Sequence, residues 1–261
     1  MQRREGSMNG KLEGKVAIIT GAGQGVGRGI ARCMAKAGAR CVIADFNEKS
    51  GRQVVAELEE LGSQALFVHC DVTQRASIDS AVNQAVDFFG QIDILVNNAQ
   101  RAPLTPTAVM DHTDEIIDLC FETGFRGTFR FMQAAYPHLK ASRGNVINIA
   151  SGAGLEGLAG QAAYGAAKEA IRALSKSAAR EWGRDGINVN IICPLANSPG
   201  VATLLERAPE MEKRMTAGQP LGRIGDCEED IGPVAVFLAS EDSRYVTGHT
   251  LPADGGSSMI R

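Results

Sequence analysis

Short apolar runs punctuate the chain at residues 16–19, 41–44, 65–68, 92–96, 146–149 and 189–193. They are continuous rather than alternating, the pattern of strands covered on both faces. Between them lie stretches with apolar residues every three or four positions, as at 25–38, 48–61 and 74–89. That spacing predicts amphipathic helices. Gly38, Gly62 and Gly90 close these stretches, where a left-handed cap favours glycine. Further helices are expected at 124–139 and, in an Ala-rich stretch, at 161–184. Strand and helix in alternation predict right-handed crossovers, and hence an α/β fold: a doubly wound parallel sheet with helices on both faces. No long linker or low-complexity tract intervenes, so a single domain is expected over residues 11–261. Residues 1–10 read as a dispensable tail, with 1–7 resembling an expression scar ahead of Met8.

Composition narrows the function. There are 30 Gly against 9 Pro, which suggests tight turns and close approach of backbone to a ligand. Lys plus Arg is 27 and Asp plus Glu is 30, for a net charge of -3. A nucleic-acid-binding surface usually needs a basic excess. No apolar run approaches the ~20 residues of a membrane span, and residues 1–15 lack the apolar core of a secretory signal. The six Cys and four His are scattered. Free thiols in a reducing, cytoplasmic compartment and no metal site are the expectation.

Candidate chemistry sits at two places. The first run leads into Thr20-Gly21-Ala22-Gly23-Gln24-Gly25-Val26-Gly27. Glycines there let the chain turn sharply and let amide groups reach a pyrophosphate at a helix N-terminus. Asp45 ends the second run, 24 positions after Gly21, near the spacing of an acid that accepts from both ribose hydroxyls. Its carboxylate repels a 2′-phosphate, and the next residue is Phe46 rather than a cation, so NAD is favoured over NADP. Asp71-Val72 fits either an adenine contact or a turn ahead of the next helix.

Tyr164 and Lys168 lie four apart in the Ala-rich stretch, on one helix face. A phenol has an ordinary pKa of about 10. A nearby ammonium favours the phenolate and would lower that value. Such a Tyr can trade a proton with a substrate hydroxyl while hydride passes to a nicotinamide. Ser151, 13 residues earlier, can hold a carbonyl or alkoxide oxygen, or simply cap a turn.

Taken in order, these residues resemble the short-chain dehydrogenase/reductase family, in its single-domain group. The match runs from Gly14 to Gly256. It includes Thr-Gly-x-x-x-Gly-x-Gly at 20–27, Asp71-Val72, Asn97-Asn98-Ala99, Ser151, Tyr164-x-x-x-Lys168 and the segment 247–256. The resemblance implies Tyr164 as general acid/base, Lys168 as the group that lowers its pKa and binds the nicotinamide ribose, and Ser151 as the holder of the substrate oxygen. It also implies cofactor contacts from Gly21, Gln24, Gly25, Val26, Gly27, Asp45, Phe46, Asp71, Val72, Asn98, Ala99, Tyr164, Lys168 and Pro194. The expected substrate is a secondary alcohol or ketone, cyclic or bulky, and the expected assembly is a homotetramer or dimer through the helices at 124–139 and 161–184.

Three positions depart from the family's pattern. Gly124 stands where the family places a relay Asn, Gln100 follows Asn-Asn-Ala in place of Gly, and Leu195 follows Pro194 in place of Gly. They keep open an alternative, a cofactor-binding regulator or scaffold with weak or no catalysis. Residues 195–220 are expected to cover the substrate, with a helix over 201–215, and the loop 100–113 to line the pocket.

Overall fold

The computed structural model describes residues 10–103 and 105–259. The tail expected at 1–10 lies outside them except for Gly10, whose carbonyl accepts from the Glu13 amide in a turn.

Seven parallel strands form one sheet: β1 (Val16–Thr20), β2 (Arg40–Asp45), β3 (Ala65–His69), β4 (Ile94–Asn97), β5 (Asn145–Ile149), β6 (Asn188–Pro194) and β7 (Thr250–Ala253). Their spatial order is β3-β2-β1-β4-β5-β6-β7. The order reverses between β1 and β4, and this is the switch point where open α/β sheets bind ligands beyond their carboxyl ends. The continuous apolar runs are two-faced, as expected. Ala17, Ile19, Ile43, Val96 and Ile147 pack into one core layer, and Val16, Ile18, Val42, Leu95 and Val146 into the other.

The sequence pattern did not single out β7. It is four residues long and includes Pro252, which has no N–H to donate and is tolerated on an edge strand. Its partner is β6, from Ile191 opposite Thr250 to Pro194 opposite Ala253.

Helices α1 (Gly25–Lys36), α2 (Glu48–Glu60) and α3 (Arg75–Phe89) fall where apolar spacing put them. Beyond β4 come α4 (Asp114–Cys120), α5 (Gly127–Ser142), α6 (Gly152–Glu156), α7 (Ala162–Trp182), α8 (Pro199–Arg207), α9 (Glu210–Thr216) and α10 (Gly232–Ala239). Two expectations need correction. The helix expected from residue 124 starts at Gly127, because residues Phe121–Arg126 form a wide π-type turn that joins α4 to α5. The single helix expected over 201–215 is two. Ala208 precedes Pro209 and leaves helical geometry (φ -144°, ψ 76°), as the steric demand of a following proline requires.

Candidate active site

The glycine loop leaves β1 and opens α1. Gly21 (φ +61°) and Gly25 (φ +57°) take left-handed conformations that other residues rarely adopt. A Cβ on Gly21 would lie 2.8 Å from the Ala99 Cα, and one on Gly25 would lie 3.0 Å from the Pro199 ring. Gly27 is pressed against the Gly21 carbonyl, where a Cβ would come to 2.6 Å. Gln24 is the N-cap of α1, yet its side chain makes no capping bond, and the first turn carries no acidic residue. The amides at the start of that turn are therefore left without a side-chain cap, at the positive end of the helix.

The end of β4 is clasped onto this loop. The Asn98 Nδ2 donates to the Thr20 and Gly21 carbonyls, both at 2.9 Å. The Thr20 hydroxyl oxygen accepts from the Asn98 and Ala99 amides at 3.0 Å. Thr20 is a site residue that pattern reasoning passed over; its hydroxyl at the last position of an apolar strand was the available signal.

Asp45 stands at the tip of β2. Its carboxylate accepts from the Gly23 amide (2.7 Å) and from the Asn47 amide (2.8 Å), so both oxygens are aimed by backbone. The Phe46 ring beside it is 69% exposed. Asp71 acts as a turn former, one of its two open readings. One carboxylate oxygen accepts from both the amide (2.9 Å) and the hydroxyl (2.8 Å) of Thr73, ahead of α3. Val72 packs against Gly127 at the start of α5. Pro194 closes β6, and Leu195 continues in register, its amide donating to the Ala253 carbonyl at 3.0 Å. The glycine that the family pattern has at 195 is not required by backbone conformation, since among the described residues only Arg143 is a non-glycine with positive φ.

Ser151, Tyr164 and Lys168 meet where β5 ends and α7 begins. Ser151 caps α6, its Oγ accepting from the Ala153 amide at 3.1 Å, and its hydroxyl is near enough to the Tyr164 phenol to act on its titration. Lys168 is buried, and its Nζ donates to the Ile149 carbonyl at 2.8 Å. The same nitrogen lies 5.6 Å from the centre of the Tyr164 ring.

Burial pushes the Lys168 ammonium down to about 8, with the Cys193 and Cys120 thiols opposing weakly. Burial also holds the Tyr164 phenol above its ordinary value, while the Ser151 hydroxyl pulls it back. The lowering of the phenol expected from Lys168 is therefore not produced by the protein groups alone. Desolvation penalises both charged forms, and the ammonium donates to the Ile149 carbonyl while lying 5.6 Å from the phenol ring centre.

Two further contacts shape the mouth. His112 was not singled out in the sequence. Its Nδ1 pairs with the Ala108 carbonyl (2.9 Å), and its Nε2 accepts from the Ala163 amide (3.3 Å). That arrangement requires the neutral ring with its proton on Nδ1, and it latches loop 100–113 to the residue before Tyr164. On the other side, α8 begins at a Ser198 cap and Pro199, over Gly25. The segment 195–220 thus touches the glycine loop. Among the described residues no His, Cys, Asp and Glu cluster could hold a metal, and no helix is long and apolar enough to cross a membrane.

Known proteins resemble this chain over nearly its whole length. A family profile described as enoyl-(acyl carrier protein) reductase matches residues 21–258. The 12alpha-hydroxysteroid dehydrogenase of Clostridium sp. is 44% identical over 254 residues, 95% of this chain and 98% of that one. The 2,5-dichloro-2,5-cyclohexadiene-1,4-diol dehydrogenase of Sphingobium indicum is 39% identical, over 97% of this chain and 99% of that one. The crystal structure of the 3-ketoacyl-(acyl-carrier-protein) reductase of Brucella melitensis, complexed with NADH, superposes with a TM-score of 0.88 at 32% identity, covering 95% of this chain and 100% of that one. With the glycine loop at the switch point and the Ser151, Tyr164 and Lys168 cluster beside it, this chain belongs to the short-chain dehydrogenase/reductase family.

Proposed function

We propose that this protein is an NAD(H)-dependent dehydrogenase acting on a secondary alcohol, or on the ketone in the reverse direction. The observation that carries this reading is Tyr164, beside Ser151 and one helical turn from the buried Lys168, whose Nζ lies 5.6 Å from the phenol ring centre. A dinucleotide fits the residues present. The uncapped first turn of α1 suits a pyrophosphate, and a carboxylate held by two amides at the tip of β2 suits a ribose diol. Gly21, Gln24, Gly25, Val26 and Gly27 would hold the phosphates. Asp45 would hold the adenosine ribose and exclude a 2′-phosphate, and Phe46, Asp71 and Val72 would border the adenine. Asn98, Ala99, Tyr164, Lys168 and Pro194 would border the nicotinamide half.

A bound nicotinamide supplies or accepts the hydride. The chain's own residues handle the proton and the oxygen. Ser151 orients the substrate oxygen by donating to it. Tyr164 takes the hydroxyl proton in oxidation and returns it in reduction. Lys168 has three N–H donors, one spent on the Ile149 carbonyl, and it supplies positive potential as the phenolate develops.

The substrate class follows from two relatives whose names each place the reacting hydroxyl on a ring. A ring alcohol of steroid or cyclohexane size is the proposal here. The contact of Tyr164 with Ser151 favours an enzyme over the scaffold alternative. A cytoplasmic homotetramer is also proposed. Phe125 of the π-type turn stacks on Phe129 of α5, and Phe129 and Ile117 of α4 are exposed, a surface that suits a second copy and that sedimentation velocity reads directly.

The test is NADH formation with a panel of ring alcohols, including a 12α-hydroxysteroid, run beside Tyr164→Phe. A loss of about 10²- to 10⁴-fold in kcat, with NADH still bound, is the expected result. Equal turnover by Tyr164→Phe would remove the assignment.

A further inference from the structure

Gln100 and Gly124 stand 24 positions apart in sequence and share one space in the fold. A Cβ at residue 124 would lie 2.9 Å from the Gln100 Cδ and 3.1 Å from its Nε2, and nearer still to Oε1. Only a residue without a side chain leaves the carboxamide its seat. The way round of that amide is fixed by its neighbours. Nε2 faces the Arg101 carbonyl (2.7 Å), the Cys120 carbonyl (3.2 Å) and the Thr123 hydroxyl (3.4 Å). Carbonyls only accept, so nitrogen must point at them and oxygen away.

Oε1 is thereby left buried without a partner. A bare buried acceptor is costly, and it marks a place for a donor or a bound water. The surroundings say which donor. Cys120, whose carbonyl takes one of the Nε2 bonds, packs with Tyr164, Ala163 and Ala167. Its thiol lies in the field of the Lys168 ammonium. The π-type turn that bears Gly124 packs on α7, and such turns gather at functional sites. Lys168 has two N–H donors beyond the one on Ile149.

We propose that Gln100 is a positioning residue for Lys168: seated on Gly124, it offers Oε1 as the acceptor, through one water, for a proton of the Lys168 ammonium. The two departures at 100 and 124 are then one coupled unit, with the carboxamide carried from the loop after β4 into the turn before α5. This rests on the reading of Tyr164 and Lys168 given above.

Four variants test it on the ring alcohol that wild type turns over best: Gln100→Ala, Gly124→Ala, the two together, and Gln100→Ala with Gly124→Asn. Position 124 is helical with no left-handed φ, so its backbone accepts a side chain, and an added methyl evicts the flexible carboxamide. Each single variant should lose about tenfold in kcat with KM within about twofold, and the double should lose no more. Asn at 124 with Ala at 100 returns a carboxamide to the same space and should recover most of kcat. Urea midpoints of the same set read the shared seat without turnover: the penalty of Gly124→Ala should vanish in the Gln100→Ala background. Multiplying losses in the double, or an Ala–Ala pair as active as the Ala–Asn pair, overturns the proposal while Tyr164→Phe remains inactive. Full activity in Tyr164→Phe instead overturns the reading of the site on which it rests.

Discussion

Replacing Lys168 by methionine exposes the energetic burden of an ammonium placed inside the protein. The side chain is 2% exposed, and its pKa falls from 10.5 to about 8. At about 1.4 kcal/mol per pH unit, that depression corresponds to about 3 kcal/mol held against folding whenever the group is charged. Between about pH 8 and 10.5 the unfolded chain keeps a proton that the folded chain has released. Wild-type stability should therefore gain about 3 kcal/mol across that window, while Lys168→Met lacks this gain.

Below pH 8 the full burden is present, but the variant also strands the Ile149 carbonyl, a loss of about 1–3 kcal/mol. The two effects nearly offset at pH 7, so the variant should match wild type within about 2 kcal/mol there and fall clearly below it at pH 10.5. Urea unfolding of both proteins at half-unit pH steps, at one protein concentration, reads the difference, and every other titrating group cancels. A difference that stays flat from pH 7.5 to 10.5 would show that Lys168 is not desolvated as described.

Other consequences can be checked separately. Asp45→Ala removes the carboxylate aimed by the Gly23 and Asn47 amides and should weaken NADH binding about tenfold or more while easing NADPH binding; fluorescence titration measures both, and wild type that binds the two equally would contradict the role given to Asp45. Gly29→Ala would bring a methyl to 2.7 Å from the Glu228 amide nitrogen and closer still to the Cys227 carbonyl, so it should lower unfolding free energy by about 1–3 kcal/mol despite its better helix propensity. His112→Ala removes the latch on the Ala163 amide and should raise KM more than it lowers kcat; steady-state kinetics on the ring alcohol would show the reverse if the latch acts on chemistry.

Much of the fold could be read from the chain because six of its strands are apolar on both faces, a pattern with few structural alternatives. β7 could not, since four residues with a proline carry no such signature. The π-type turn at 121–126 was hidden for a different reason: its flanking residues keep helical dihedrals, and one extra residue per turn leaves no mark in apolar spacing. The break at Pro209 was legible and was passed over. At the site, residue identity pointed to Ser151, Tyr164 and Lys168, but spacing says nothing about depth. Burial decides which way the phenol and ammonium shift, and only the folded chain shows it. The meeting of Gln100 with Gly124 is likewise a fact of tertiary structure.

A polar thread crosses the middle of the sheet. The Asn97 side chain on β4 donates to the Asn148 Oδ1 on β5 at 2.8 Å, and the Asn148 Nδ2 donates to the Ser175 hydroxyl on α7 at 2.8 Å. Ser175 in turn donates to the Ile171 carbonyl at 2.7 Å. Sliding β5 by a single residue would reverse its faces and leave these groups facing hydrocarbon. The thread works as a keyed joint: it admits one alignment of the two central strands with the long helix, the alignment that brings Ser151, two residues past β5, beside the phenol two turns upstream of Ile171.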